Sequence, residues 1–440
     1  MRFRNVRWPG RLLGSLAAVV AIAVFVPLGQ AGATGSRARS HGHGVEWVSA
    51  WAASPQGPYP SGIAYDPLPL DSVFPAPAQQ ANDQTLRLVV HTAQGGPELR
   101  LRLSNLDGTQ PVTFGDVTVG ARSTGATIVP GTLRTVLFGG QRSVVVEPGA
   151  EALSDPVHLR TRPQEDLGVS VFISGASGPM TWHAKAVATS YATLPGTGDH
   201  ASESSGAAFT APMRSWFFLN DIDVTVPATP ETGTIVALGD SITDGTGSDV
   251  DGNDRWPDDL ARRLLSAPGL EKEVVDEGIG GNKVLVDAGS GGPSALSRLA
   301  RDVFSRPNVT DMVLFEGVND IGGGATAAQV ISGLEQIVAQ AHAQGISVTG
   351  ATITPYGGFY TAPDSIRQQV NTWIRTSGVF DHVVDFDAVV RDPTDPTRIN
   401  PIYDHGDHIH LNPAGYQAIA NAIPLRYFYD RPSGHNRSDG

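Results

Sequence analysis

The sequence predicts two structural parts: an all-β sandwich of the jelly-roll kind, followed by an α/β domain with three α/β/α layers around a parallel sheet. Two patterns predict this. Between residues 45 and 227, apolar and polar residues alternate at period two in several short segments, as in antiparallel strands. After residue 228, strand-like and helix-like segments alternate five times, which is typical of a parallel sheet covered on both faces. At 440 residues, the chain is long enough for two cores.

The first 33 residues have the plan of a signal peptide. Four arginines, the last of them Arg11, precede an apolar run at 12–28, and the small residues Ala31, Gly32 and Ala33 follow it. The alternative is a membrane anchor, but this run of 17 residues is shorter than the ~20 that span a bilayer. We therefore expect a secreted, extracellular protein without stable membrane insertion after cleavage. Residues 34–44, rich in Gly, Ser, Arg and His, are predicted to form a flexible linker.

Charge and cysteine content exclude several classes of function. The formal net charge is -13, and the sequence contains no basic stripe, which argues against a nucleic-acid partner. Cysteine is absent, so disulfides, thiolate metal sites and a cysteine nucleophile are excluded. The sequence gives no indication of oligomeric state.

Residues 45–227 are predicted to form the β-sandwich, which we expect to be an accessory domain. Period-two alternation is seen at 85–91, 98–103, 112–119, 142–146 and 167–173, with glycine-rich and proline-rich turns between the segments. The tryptophans of this region could form a platform for stacking sugars, but in a sandwich they more often belong to the core.

The predicted boundary lies at the proline-containing stretch 225–230, so the second domain is placed at 228–430, with a flexible tail at 431–440. Strands are predicted at 234–238, from 274, at 312–315, 346–353 and 383–386. Helices are predicted at 256–265, 296–304, 325–343, 365–375 and 413–423.

Polar residues follow the ends of these strands, where ligands bind in open parallel sheets. Ser241, directly after the first strand, is placed as a nucleophile whose own N–H also faces the reacting atom. A glycine-rich block ends at Gly281, and Asn319 follows the third strand. Asp407 and His410, three residues apart before the last helix, can form a hydrogen-bonded carboxylate–imidazole pair.

These four blocks, in this order, resemble the GDSL or SGNH hydrolase family of esterases and lipases over residues 234–423. The resemblance implies an SGNH-type fold for the second domain and a Ser-His-Asp triad of Ser241, His410 and Asp407. It also implies an oxyanion hole formed by the N–H groups of Ser241 and Gly281 and the side chain of Asn319. The sequence departs from the family pattern at Ile242, where the family name has Leu.

A second departure precedes the glycine block, where the family usually has Asn and this chain has Asp276 and Glu277. The β-region is similar, more weakly, to the accessory domain of some secreted bacterial members. Because all the proposed catalytic residues follow the boundary, we expect the β-region to tune substrate choice rather than to supply the reaction.

The expected function is that of a secreted serine esterase without cofactor or metal, acting on a small or polymeric ester such as an acetylated carbohydrate. One alternative is a short-chain lipase or lysophospholipase of the same family. Another is a metal-dependent hydrolase that uses the cluster of aspartates and histidines at 404–410, because zinc accepts both side chains as ligands. A third is an inactive secreted carbohydrate-binding protein.

Two structural alternatives also bear on Ser241. Short Gly-Asp-Ser strings are common in turns, where the serine could serve only as a helix N-cap. The α/β-hydrolase fold is disfavoured because its Gly-x-Ser-x-Gly elbow needs glycine two residues after the nucleophile, where this chain has Thr243.

Overall fold

The computed structural model describes residues 44–64 and 70–429. The predicted signal peptide, nearly all of the predicted linker and the predicted tail lie outside these residues. No helix within 44–64 and 70–429 has both the length and the apolar character needed to cross a bilayer.

The region up to residue 227 is built of short strands, and every strand pair in its described part is antiparallel. The strands are β1 (Val45–Ala52), β2 (Gly57–Pro58), β3 (Asn82–Thr92), β4 (Leu99–Ser104), β5 (Val112–Ala121), β6 (Arg134–Thr135), β7 (Val144–Val146), β8 (Glu151–Leu153), β9 (Glu165–Ala176), β10 (Thr181–His183), β11 (Ser190–Ala192), β12 (Ala211–Met213), β13 (Trp216–Phe217) and β14 (Leu219–Pro227).

These strands form three sheets, in the orders β1-β14-β4-β8, β13-β10-β2 and β12-β11-β3-β9-β5-β6, with β7 also pairing with β5. Their inward side chains make an apolar core that includes Trp51, Trp182 and Trp216. Because these three tryptophans are buried, they stabilise the sandwich and do not form a sugar-stacking platform. The fourth tryptophan of the region, Trp47, is half-buried, and the guanidinium of Arg100 lies 4.5 Å from the centre of its ring.

The second region is a five-stranded parallel sheet with helices, as the sequence predicts. Its strands are β15 (Gly233–Gly239), β16 (Lys272–Gly278), β17 (Val309–Phe315), β18 (Ser347–Ala351) and β19 (His382–Val384), in the order β16-β15-β17-β18-β19. The helices are α1 (Ser241–Asp244), α2 (Trp256–Leu265), α3 (Ala295–Leu299), α4 (Val318–Gly322), α5 (Ala327–Ala343), α6 (Asp364–Thr376), α7 (Phe386–Val390) and α8 (Pro413–Ala422). The helix predicted at 296–304 is α3 followed by a π-helical turn, Ala300–Phe304.

The register of the parallel sheet brings three strand ends together. Gly239, at the end of β15, pairs with Gly278 of β16 and with Phe315 of β17. The loops that follow these residues therefore leave the sheet at one edge, which we call the catalytic edge.

The two regions pack closely against each other, although each has its own apolar core. Ala52 and Ala93 of the β-region belong to the core of the parallel-sheet region. A buried charge cluster crosses the interface: Arg306 lies 2.7 Å from Glu277 of β16 and 3.1 Å from Asp221 of β14. Removing one partner from such a cluster leaves a buried unpaired charge, which is far more costly than the loss of an exposed ion pair.

Candidate active site

Ser241 begins α1 directly at the end of β15. The carboxylate of Asp240 accepts a hydrogen bond of 2.9 Å from the N–H of Ile242, so Asp240 is the N-cap of the helix. The interpretation of Ser241 as the cap is therefore wrong, and its hydroxyl is free to face the catalytic edge. Gly278 allows α1 to approach the sheet this closely, because a Cβ there would lie 2.2 Å from the amide nitrogen of Asp244.

The structure brings Ser241, His410 and Asp407 into one hydrogen-bonded line. Ser241 Oγ lies 2.8 Å from His410 Nε2, and His410 Nδ1 lies 2.5 Å from Asp407 Oδ2. The other carboxylate oxygen of Asp407 accepts the backbone N–H of His410 at 2.9 Å. The imidazole is thus held between a hydroxyl and a carboxylate, the arrangement a general base needs.

The hydrogen bonds to Asp407 also fix its charge. Burial by itself would raise the pKa of Asp407, but the hydrogen bonds from the side chain and backbone of His410 outweigh burial and hold the pKa well below its ordinary value. The carboxylate therefore stays ionised under acidic conditions and stabilises a positive charge on the neighbouring ring.

The predicted oxyanion donors lie on the two adjacent loops. Gly281 has φ +78°, a left-handed conformation that favours glycine and shapes the turn after β16. Asn319, in α4, donates from Nδ2 to the backbone carbonyl of Asn282 at 2.8 Å. This bond uses one of the two hydrogens on Nδ2, so the second remains for another acceptor.

Tyr360 orients the Asn319 amide. Its hydroxyl donates to Asn319 Oδ1 at 2.7 Å, so the oxygen of the amide is turned toward Tyr360 and the NH₂ group toward the carbonyl of Asn282. Burial, and to a lesser extent the charge of Asp240, raises the pKa of Tyr360 to about 12, which keeps the hydroxyl a donor. At the sequence level Tyr360 is only an aromatic residue after a strand, and nothing in its spacing indicates this contact.

Arg298, which sequence reasoning missed, joins the loops of the catalytic edge. Its guanidinium donates to the carbonyls of Gly239 at 2.9 Å and Glu277 at 2.7 Å, and to Asn282 Oδ1 at 3.1 Å. It is fully buried and forms an ion pair with Asp302 at 3.1 Å. One side chain thus ties together the strand end before Ser241, the end of β16 and the residue after Gly281.

Asp276 and Glu277, where the family pattern has Asn, do not take the place of an oxyanion donor. Glu277 is bound to Arg306 and to the hydroxyl of Ser54, so it belongs to the interface with the β-region. Asp276 accepts the N–H of Gly278 at 2.8 Å. Asp276 therefore supports the turn that leads to Gly281, whereas Glu277 joins the two regions.

The His- and Asp-rich segment at 404–410 divides into two separate pairs. His408 Nδ1 lies 2.7 Å from Asp404 Oδ2, whereas His410 pairs with Asp407. Across the described parts of the chain, no group of three or more His, Asp or Glu side chains is arranged to hold a metal ion. The segment thus presents two carboxylate–imidazole pairs rather than one converging set of ligands.

The β-region also contributes residues at the catalytic edge. A Cβ on Gly281 would lie 3.0 Å from Cδ1 of Ile63, and His183 Nε2 lies 3.1 Å from Asp244 Oδ1, at the end of α1. The ring of Phe359, in the parallel-sheet region, lies 6.3 Å from that of His410. Ile63 and Phe359 are 40% and 47% exposed, so two accessible apolar side chains flank the site.

Comparison with known proteins agrees with the family resemblance. Residues 237–418, which include all five predicted site residues, match the model of the GDSL-like lipase/acylhydrolase family. None of the curated proteins compared with the sequence matches it.

Solved structures that resemble part of the chain include three bacterial proteins. A member of the lipolytic protein G-D-S-L family from Veillonella parvula has 19% identity and a TM-score of 0.32, covering 43% of this chain and 96% of its own. A carbohydrate acetylesterase family member from Sinorhizobium meliloti has 18% identity and a TM-score of 0.36, covering 43% and 95%. A GDSL-like lipase from Bacteroides thetaiotaomicron has 19% identity and a TM-score of 0.33, covering 46% and 90%. At this level of similarity the three structures identify neither a substrate nor a site residue.

Proposed function

We propose that this chain, whose residues 237–418 are a GDSL-like lipase/acylhydrolase domain, hydrolyses carboxylic esters with Ser241 as the nucleophile. The observation that carries the proposal is the continuous hydrogen-bonded line from Ser241 Oγ through the His410 ring to Asp407. A hydroxyl is a weak nucleophile, and a positioned base is what activates it.

In the proposed reaction, Ser241 Oγ attacks the ester carbonyl carbon while its proton passes to His410 Nε2. The carbonyl oxygen becomes an oxyanion that accepts hydrogen bonds from the N–H groups of Ser241 and Gly281 and from Asn319 Nδ2. The bond to the alcohol then breaks, and His410 returns the proton to the leaving oxygen. Water, deprotonated by His410, attacks the acyl-enzyme in the same way, which releases the acid and restores the serine.

The substrate class is a finer part of the proposal. We favour carbohydrate esters with a short acyl group, because the β-region adjoins the catalytic edge and offers a second surface to a polymer. Purified protein tests this on acetylated xylan, pectin, short p-nitrophenyl esters and lysophospholipids. We expect hydrolysis of p-nitrophenyl acetate and of at least one acetylated polysaccharide. Turnover of lysophospholipid alone would indicate a lipase, and binding without turnover of any ester would refute the proposed hydrolase.

Secretion is also part of the proposal, and it rests on the sequence of residues 1–33 alone. N-terminal sequencing of the protein recovered from the culture medium tests it, with a mature chain expected to begin close to residue 34. A chain retained in the cells with residues 1–33 intact would contradict it.

We predict that kcat/KM for p-nitrophenyl acetate falls tenfold for each pH unit on the acid side, because a protonated imidazole cannot accept the serine proton. The lowered pKa of Asp407 keeps this carboxylate ionised over the range measured, so protonation of Asp407 does not cause the loss. A profile measured between about pH 4 and 8 checks this expectation. A rate independent of pH over that range would contradict His410 as the base.

A further inference from the structure

Lys185 of the β-region reaches the turn at 245–247 that follows α1, which we call the nucleophile turn. It comes two residues after β10, is only 4% exposed, and donates from Nζ to Thr246 Oγ1 at 2.5 Å. Thr246 in turn donates its backbone N–H to the carbonyl of Ser241 at 2.9 Å. The contact therefore links a residue outside the hydrolase domain to the backbone of Ser241.

The same ammonium group lies beside the loop at 279–282 that follows β16, which we call the oxyanion loop. Lys185 Nζ is 3.6 Å from the position that a Cβ on Gly280 would occupy, and Asp244 Oδ2 is 3.4 Å from that position. Because Gly280 has no side chain, the ammonium and the carboxylate face the backbone that leads directly to Gly281. Lys185 thus lies where the nucleophile turn and the oxyanion loop meet.

The charges around Lys185 are mostly carboxylates. Asp244, at the end of α1, and Asp407, the carboxylate of the proposed triad, both interact electrostatically with the ammonium. His183, the last residue of β10, is bound to Asp244 and also interacts with Asp276 of β16. Burial lowers the pKa of Lys185, while Asp244 and Asp407 oppose this change. A buried ammonium is costly unless carboxylates compensate it, and here one of those carboxylates belongs to the proposed triad.

We propose that Lys185 is a positioning residue that holds the nucleophile turn against the oxyanion loop and balances the charge of the Asp407–His410 pair. The inference rests on the proposed function, because it concerns the same site. A positive charge beside this pair opposes a second positive charge on the imidazole, so the pH profile of the reaction is the property that loss of the lysine charge should change.

The test is the pH profile of kcat and kcat/KM for Lys185→Met and Lys185→Arg in the full chain. For Lys185→Met we expect kcat to fall about tenfold and the acid limb to move to higher pH by roughly half a unit or more. Lys185→Arg keeps the charge, so its acid limb should stay at the wild-type position even if kcat falls.

Lys272 provides a matched control, since it is also buried and donates to Thr310 Oγ1 at 2.6 Å and to Asp311 at 2.7 Å. It begins β16, at the end of the sheet opposite the catalytic edge. Lys272→Met should therefore lower thermal stability and leave the acid limb unchanged. An acid limb that is the same in Lys185→Met, Lys272→Met and wild type would overturn the inference.

If Lys185→Met does not fold, Thr246→Val removes the hydroxyl that the ammonium binds. We expect kcat to fall several-fold at an unchanged acid limb, because the lysine charge remains. Wild-type kcat in this variant would overturn the positioning role. An inactive wild-type protein would instead refute the proposed function and the inference with it, so the two failures are distinguishable.

Discussion

The Ser241→Ala variant is expected to hydrolyse p-nitrophenyl acetate about 10⁴-fold more slowly than the wild type, or slower still, because members of a triad act as a unit. In the proposed reaction Ser241 Oγ is the attacking atom, and its hydrogen bond of 2.8 Å to His410 Nε2 is the contact that would activate it. The oxyanion donors remain, so a small rate above that in water should persist.

This loss should occur without unfolding. Asp240 rather than Ser241 caps α1, so the start of the helix survives the substitution. Ser266→Ala is a suitable control because Ser266 is exposed and its hydroxyl only donates to the carbonyl of Arg262 in the structure described. Melting temperature and steady-state rate are compared for the wild type, Ser241→Ala and Ser266→Ala. A folded Ser241→Ala variant that keeps most of its activity would rule out the serine mechanism.

Asn319→Ala should lower kcat by roughly 10²-fold and change KM much less, since a donor aimed at the oxyanion acts mainly in the transition state. The substitution also removes the hydrogen bond to the carbonyl of Asn282, so melting temperatures are needed beside the kinetics. An equal rise in KM without a loss of kcat would show that Asn319 binds the ground state instead.

Tyr360→Phe refines this prediction. Loss of the hydroxyl removes the bond that orients the Asn319 amide, and we expect a smaller fall in kcat, about tenfold. If Tyr360 acts through Asn319, the variant with both substitutions should be only slightly slower than Asn319→Ala. Losses that multiply would show that Tyr360 acts independently of Asn319.

The sequence predicted the parallel-sheet fold because strand-like and helix-like segments alternate after residue 228, and chemically distinctive loops follow several of the strands. The aligned ends of β15, β16 and β17 then place Ser241, Gly281 and Asn319 at one edge, as parallel register requires. Ser241 and His410 are 169 positions apart in the sequence, so local sequence patterns could not predict their contact. The catalytic roles of Ser241 and His410 stay predictions, which the activities of the substituted proteins test.

The short strands of the β-region and the contacts between distant segments could not be predicted from the sequence, for physical reasons. Several strands of the β-region, such as β10 and β13, have three residues or fewer, too few to show a period. Arg298 and Lys185 act through long side chains that cross between separate segments, and no local pattern marks such contacts. The expectation that the β-region only tunes substrate choice did not anticipate Lys185 and Ile63 beside the oxyanion loop.

The central claim, that Ser241 forms the covalent intermediate, is tested most directly by reacting the protein with a fluorophosphonate and mapping the adduct by peptide mass spectrometry. Wild-type protein should gain one phosphonyl group on the peptide that contains Ser241 and lose esterase activity in proportion, because the reagent is trapped by an activated serine. The Ser241→Ala variant should gain none. An adduct on another residue, or ester hydrolysis that continues at full rate in fully labelled protein, would contradict the account.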